Sequence, residues 1–158
     1  MKPEINVSIG DSAPVFTTKN QNEQIRSLSD FIGKNVVLYF YPKAMTPGCT
    51  TQACEIRDHQ SDFTKRNAVV LGISPDAPAR LQKFIDKQNL NFELLSDEDH
   101  SIADLFGVWG PKKFMGKVYD GIHRSTFIID PEGKIRAIMH PVKTKTHHED
   151  VLSLLDTL

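Results

Sequence analysis

Two continuous apolar runs in the first half of the chain predict two buried strands. Residues 35–41 and 68–73 are rich in β-branched and aromatic side chains. Such unbroken apolar strands are typical of a largely parallel sheet that is covered on both faces. Between the runs, apolar residues recur at helical spacing and predict a helix over about residues 47 to 65. The first half of the chain therefore predicts a right-handed βαβ unit.

The rest of the chain continues this alternation of strands and helices. The predicted elements are a helix that Asp76 caps and Pro78 opens, a short helix that starts at residues 96–99 and ends at Gly107, an irregular loop over 109–121, a hairpin of residues 125–129 and 134–139, and a last helix with a capping box at 146–149. This order predicts an α/β protein with a central mixed sheet flanked by helices, which matches the thioredoxin-like fold.

Length and charge restrict the possible functions further. The 158 residues predict a single domain over 1–158, and the formal net charge of −1 gives no electrostatic reason to expect a nucleic-acid partner. The longest apolar run, residues 36–41, is far shorter than the roughly 20 residues of a membrane span, so no membrane association is expected. Residues 1–6 lack the apolar stretch of a secretory signal, which favours a cytoplasmic location.

The segment between the first strand and its helix carries the chemistry. Thr46 and Pro47 are typical of an N-cap and a first helical residue, so Cys49 is predicted in the first turn. Unpaired N–H groups and the helix dipole there favour thiolate over thiol. A nearby cation would strengthen this effect, and the candidates are Lys43 or an arginine from another strand, such as Arg124. Arginine is favoured because its fork donates to two acceptors at once.

A second cysteine, Cys54, follows on the same predicted helix. Ideal helix geometry places the two Cα atoms about 8.6 Å apart and about 140° around the axis, whereas a disulfide tolerates at most about 7 Å. A bond between Cys49 and Cys54 would therefore require the first helical turns to unwind. Spacing alone leaves open whether Cys54 reacts or simply packs.

Several stretches of the sequence resemble the peroxiredoxin family. The pattern Pro42-x-x-x-Thr46-x-x-Cys49 is similar to the family's active-site motif, and residues 39–54 resemble its peroxiredoxin Q branch, the bacterioferritin comigratory proteins. Residues 10–16, 95–97 and 124–130 also resemble family segments, so the likeness covers nearly the whole chain.

The resemblance implies a role for each site residue. Cys49 would be the peroxidatic cysteine that attacks a hydroperoxide, and Cys54 would resolve the sulfenic acid in an intramolecular disulfide. Thr46 and Arg124 would hold the peroxide and the thiolate, and Pro42 would shield the sulfenic acid. Thioredoxin or a similar dithiol protein would be the reductant. No cofactor is implied, and the intramolecular bridge favours a monomer.

The sequence also allows other functions and other sites. A disulfide oxidoreductase is disfavoured because four residues, rather than two, separate the cysteines, and a redox-sensing module remains the non-enzymatic alternative. The six histidines are scattered or adjacent, which predicts solvated side chains and no metal site. Residues 110–117 lack the spacing of a phosphate loop. For Trp109, Phe114 and Met115 two interpretations stay open, an apolar lining of the peroxide's approach and packing within their loop, and packing is slightly favoured.

Overall fold

A seven-stranded mixed sheet forms the centre of the computed structural model, which describes residues 5–158. The nine strands are β1 Thr17–Asn20, β2 Ile25–Ser27, β3 Asn35–Phe40, β4 Ala68–Ser74, β5 Glu93–Ser96, β6 Trp109–Phe114, β7 Lys117–Ile122, β8 Ser125–Ile129 and β9 Ile135–Met139. The α-helices are α1 Pro47–Asp58, α2 Gln60–Lys65, α3 Pro78–Gln88, α4 Ser101–Phe106 and α5 His147–Leu155. The sheet order is β2-β1-β5-β4-β3-β8-β9, and β6 and β7 form a separate pair.

Strands β3 and β4 occupy the middle of the sheet, as their apolar sequences predict. β3 runs parallel to β4 and antiparallel to β8, so the sheet is mixed. Alternate residues of β3 enter two different cores. Val37 and Tyr39 pack with α1, α3 and α5 on one face, whereas Val36 and Leu38 pack with α4 on the other. The predicted thioredoxin-like α/β fold is therefore confirmed.

Several details of the predicted elements differ from the structure. The helix over 47–65 is two helices, because His59 leaves helical geometry between them. The irregular loop over 109–121 was wrong, since these residues form the β6–β7 hairpin with a continuous register. The capping box at 146–149 does not form, because the Thr146 hydroxyl donates to the Asp150 carboxylate.

Residues 1–4, which belong to the stretch predicted to lack a secretory signal, lie outside the described residues. Within residues 5–158, no helix combines the length and the apolar character that crossing a membrane requires.

Candidate active site

Cys49 lies in the first turn of α1, at the carboxyl end of the central strand β3. Thr46 is the N-cap and Pro47 is the first helical residue, as the sequence predicts. Phe40 pairs with Ser125, so Arg124, the residue before β8, lies at this same edge of the sheet. Its Nη2 donates a hydrogen bond to the Cys49 Sγ at 3.2 Å. The fold therefore joins a buried thiol and a guanidinium that are far apart in the chain.

The loop before α1 is held by an ion pair between Asp76, which follows β4, and Arg80 of α3. The Ala44 N–H donates to the Asp76 Oδ2 at 2.8 Å, and the Ala44 carbonyl accepts from the Arg80 Nη2 at 3.1 Å. Asp76 and Arg80 are themselves paired at 3.1 Å. Asp76 does not cap α3 as predicted, because its carboxylate is used by this loop and Ala77 is the N-cap. This clamp fixes the backbone that leads to Thr46.

The hydroxyl of Thr46 is oriented by the same loop. Its Oγ1 donates to the Lys43 carbonyl at 2.8 Å. Because a hydroxyl has one proton, Oγ1 then offers its lone pairs to any other partner. The side chain of Lys43 is exposed, and Pro42 is half-buried at the start of the loop. The cation beside the sulfur is thus the arginine.

A buried chain of hydrogen bonds continues from the guanidinium into the protein. The Arg124 Nη1 donates to the Gln52 Oε1 at 3.1 Å. The amide nitrogen of Gln52 lies 3.2 Å from the His147 Nδ1, and the His147 Nε2 lies 2.7 Å from the Thr126 Oγ1. Arginine has no acceptor, so Gln52 must turn its oxygen to Arg124 and donate its N–H to His147. His147 is therefore held as a neutral ring with its proton on Nε2.

Comparison with known proteins places this geometry in a family. The family model described as the AhpC/TSA family matches residues 9–138. Peroxiredoxin Bcp of Escherichia coli is 53% identical over 146 residues, which cover 92% of this chain and 94% of that protein. The chain belongs to the peroxiredoxin family. Peroxiredoxins are thiol peroxidases, so this chain is an oxidoreductase that reduces peroxides and depends on a reducing partner.

Two solved structures of peroxiredoxins are similar over almost their whole length. A cysteine-to-serine mutant of PrxQ from Xylella fastidiosa has a TM-score of 0.91 and 34% identity, with 98% of each chain covered. The bacterioferritin comigratory protein of Xanthomonas campestris, studied for its alkyl peroxide reduction activity, has a TM-score of 0.87 and 31% identity, again with 98% of each chain covered. The predicted peroxiredoxin Q resemblance is therefore confirmed.

Access to the sulfur of this peroxiredoxin depends on a glycine. A Cβ added at Gly48 would lie 3.1 Å from the Arg124 Nη2 and 3.8 Å from the Thr144 Cγ2. A side chain at position 48 would therefore crowd the guanidinium that donates to the Cys49 sulfur. A cleft lined by Gly48, Arg124 and residues 142–146 opens to solvent here. This cleft reaches Gly48 and Arg124, the neighbours of the sulfur, whereas Cys49 itself is buried.

The second cysteine of the peroxiredoxin lies farther along the same unbroken helix. Cys54 is half-buried, and its Sγ lies 3.5 Å from the Gln88 Oε1 of α3. Both cysteines are unbridged thiols. Because α1 is continuous from Pro47 to Asp58, the two sulfurs have the wide helical separation that the sequence predicts. A bridge requires this part of α1 to unwind.

His147 and His148 were wrongly interpreted as solvated histidines. They are 1% and 5% exposed, because the start of α5 packs against α1 and β8. Burial, helped by the electrostatic effect of the neighbouring His148 and Arg124 side chains, lowers the pKa of His147 to about 3. A protonated Nδ1 would also face the N–H of Gln52. Pairs of adjacent polar residues carry no burial signal, so sequence reasoning missed this part of the site.

This pKa predicts how the stability of the peroxiredoxin depends on pH. Between the unfolded value of about 6.5 and the folded value of about 3, the unfolded chain binds a proton at His147 that the folded chain does not. The free energy of unfolding should therefore fall with falling pH, by up to about 1.4 kcal/mol per unit from this group. Urea unfolding at several pH values in that window should show a smaller slope in His147→Gln than in the parent.

The comparison of the two proteins separates His147 from other titrating groups. Burial raises the pKa of Asp97, which acts in the opposite direction but equally in both proteins. These other groups are common to the parent and to His147→Gln, so the difference between the two slopes reports His147 alone. Equal slopes in the parent and His147→Gln would show that His147 is not buried as a neutral ring.

Proposed function

We propose that Cys49 is the peroxidatic cysteine of this peroxiredoxin. Its thiolate attacks one oxygen of a hydroperoxide, the O–O bond breaks, and the second oxygen leaves as water or an alcohol after it takes up a proton. Cys49 becomes a sulfenic acid. The observation that carries the proposal is the 3.2 Å hydrogen bond from Arg124 to the Cys49 Sγ at a helix N-terminus. Both features favour negative charge on the sulfur.

Each residue around the sulfur has a separate role in the binding and reaction of the peroxide. Arg124 stabilises the thiolate and the charge that develops on the leaving oxygen. Thr46 accepts the O–H of the peroxide, because its own proton is donated to Lys43, and this contact orients the O–O bond toward the sulfur. Gln52 accepts a hydrogen bond from the Arg124 guanidinium and so fixes its orientation. Pro42 shields the sulfenic acid from a second peroxide.

Cys54 is proposed as the resolving cysteine. Its thiol attacks the sulfenic acid of Cys49, a disulfide forms and water leaves. The first turns of α1 unwind in this step, as the helical separation demands. Thioredoxin or a similar dithiol protein then reduces the bridge by thiol–disulfide exchange and is itself oxidised. The absence of any third cysteine from the sequence supports an intramolecular bridge.

The substrate class and the setting are part of the same proposal. Hydrogen peroxide and organic hydroperoxides are the proposed substrates, and the alkyl peroxide reduction studied for the Xanthomonas campestris relative supports the organic ones. A bridge within one chain needs no second subunit, which supports a monomer that acts as a single domain over 1–158. A cycle that depends on a dithiol reductant is consistent with the cytoplasm.

Mass spectrometry of the Cys54→Ser variant tests the proposal. After one equivalent of hydrogen peroxide, the parent should lose the mass of two hydrogens and give a peptide that links Cys49 to Cys54. Cys54→Ser should instead gain one oxygen on Cys49 and keep it until a thiol is added, because nothing in the chain resolves the sulfenic acid. Its steady-state turnover with a dithiol protein should fall strongly.

Circular dichroism provides the structural half of this test. The bridged parent should have less helix than the reduced parent, whereas Cys54→Ser should keep its helix after oxidation. Equal helicity in reduced and fully bridged parent would contradict the unwinding of α1. If the parent instead carried the oxygen on Cys54 and left Cys49 unmodified, Cys54 would be the peroxidatic cysteine and Cys49 the resolving one.

A further inference from the structure

A cluster of two histidines and a glutamate lies where the end of α1 meets the start of α5. Glu55, His59 and His148 each offer one ligating atom, and these atoms all lie within 4.8 Å of one another. Glu55 and His59 are four residues apart, so their side chains share one helical face. The rings of His59 and His148 lie 4.4 Å apart between centroids. None of these residues takes part in the proposed peroxide chemistry.

His59 is oriented as a metal ligand usually is. Its Nδ1 lies 2.7 Å from the Glu55 carbonyl oxygen. A carbonyl can only accept, so Nδ1 carries the proton and Nε2 carries the lone pair. Histidines that bind metals almost always donate their other N–H in this way, which fixes the tautomer and the ring.

The distances around His148 suit a shared metal better than direct hydrogen bonds. Its Nε2 lies 3.6 Å from the Glu55 Oε2 and 3.7 Å from the Glu149 Oε1. These gaps are too long for hydrogen bonds. Two ligands of a tetrahedral zinc ion, each about 2.1 Å from the metal, lie about 3.4 Å apart.

We propose that Glu55, His59 and His148 bind a divalent transition metal of the zinc class, with Glu149 as a fourth, mobile ligand. Imidazole nitrogens with a carboxylate suit zinc and its neighbours rather than calcium or magnesium. The side chains of Glu55 and Glu149 are 41% and 70% exposed, so an ion can enter from solvent and the carboxylates can close on it. The histidine spacing predicted no metal site, because His148 reaches Glu55 and His59 only through tertiary packing.

The location of this site couples it to the redox cycle, a consequence that depends on the role proposed for Cys54. Cys54 immediately precedes Glu55 on α1. A metal that ties Glu55 and His59 to α5 restrains Cys54 in its helical position. By linkage, an ion that binds the helical form more tightly than the unwound form disfavours the bridge. Because Cys54 cannot reach Cys49 while α1 is helical, bound zinc lowers the population of chains that can form the bridge and so slows the resolving step.

Zinc titration by calorimetry tests the site independently of the redox cycle. The protein is the Cys49→Ser/Cys54→Ser variant, in which no thiolate can bind the ion. One zinc ion should bind per chain. Glu55→Gln and His59→Gln should each weaken binding by at least about tenfold, since loss of even a ligand's hydrogen-bond partner costs about 10- to 100-fold. The control His100→Gln, which changes an exposed histidine, should bind zinc normally.

Two calorimetric outcomes would contradict the proposed metal site. Either no saturable binding, or equal binding in His59→Gln and the background protein, shows that the cluster holds no metal. Circular dichroism of each variant shows that the fold is intact. Glu55→Gln provides a second, more exposed substitution in case His59→Gln disturbs the junction between α1 and α2.

Disulfide formation with and without zinc tests the coupling. In the protein with both cysteines, saturating zinc should slow formation of the bridge several-fold, and it should slow it much less in His59→Gln. Equal slowing in both proteins would assign the effect to thiolates and contradict the coupling. If no bridge forms even without zinc, the role of Cys54 fails, while the calorimetric result for the site stands.

Discussion

Cys49→Ser should abolish peroxide consumption. Serine keeps the size and the position of the side chain in the first turn of α1, but its oxygen cannot be oxidised by a hydroperoxide as a thiolate sulfur can. The helix N-terminus and Arg124 then surround a hydroxyl with no reaction to perform. Stopped-flow measurement with excess hydrogen peroxide should give the rate found without protein.

Cys54→Ser is the matched control for this expectation. It removes the other thiol but leaves every contact of the Cys49 sulfur in place, so the first oxidation should proceed at close to the parental rate. Turnover should stop after that single event unless an external thiol is present. If Cys49→Ser consumed one equivalent of peroxide rapidly, the reactive thiol would be Cys54, and the proposed chemistry would be at the wrong residue.

Arg124→Ala should lower the second-order rate constant of Cys49 oxidation by about 100- to 1000-fold, the usual cost of losing a donor at a developing negative charge. Arg124 makes two directed contacts, one to the Cys49 Sγ and one to the Gln52 Oε1. Arg124→Lys should recover part of the rate, because it restores a positive charge but not the two-pronged geometry. Stopped-flow rates at a fixed pH measure both effects.

A second arginine provides the control for charge and stability. Arg136 lies on β9, 46% exposed, and pairs with Asp130 at 3.5 Å. Arg136→Ala removes the same charge from the protein and should leave the rate constant unchanged. A rate in Arg124→Ala within about twofold of the parent would mean that the contact at 3.2 Å contributes no transition-state stabilisation worth measuring.

The sequence predicts the middle of the sheet well, because burial on both faces leaves an unambiguous apolar pattern in β3 and β4. The edge is harder. β1 has the sequence TTKN and is largely exposed, so its pairing with β5 depends on backbone hydrogen bonds that carry no side-chain signal. The β6–β7 hairpin contains glycine, proline and several lysines, which are typical of a loop. Its register is set by backbone pairing as well.

In the candidate active site, too, the residues placed by local sequence can be predicted, whereas those brought in by tertiary packing cannot. The position of Cys49 on a helix follows from Thr46 and Pro47, which are neighbours in sequence and act locally. Without the family resemblance, nothing distinguishes Arg124 from other arginines, because the fold alone brings it to the sulfur. Likewise, Asp76 resembles a helix cap in sequence and becomes a loop clamp only beside Ala44.

The junction at His59 limits how far disorder can spread through the molecule. A helix that frays from Cys49 loses one turn after another until it meets a residue that already lies outside helical geometry. Beyond it, Phe63 anchors α2 in the hydrophobic core with a 1% exposed side chain. Fraying that reached this point would leave the scaffold of the central sheet intact, so the return from the unwound form proposed for the bridge would require refolding of about three turns rather than of the whole protein.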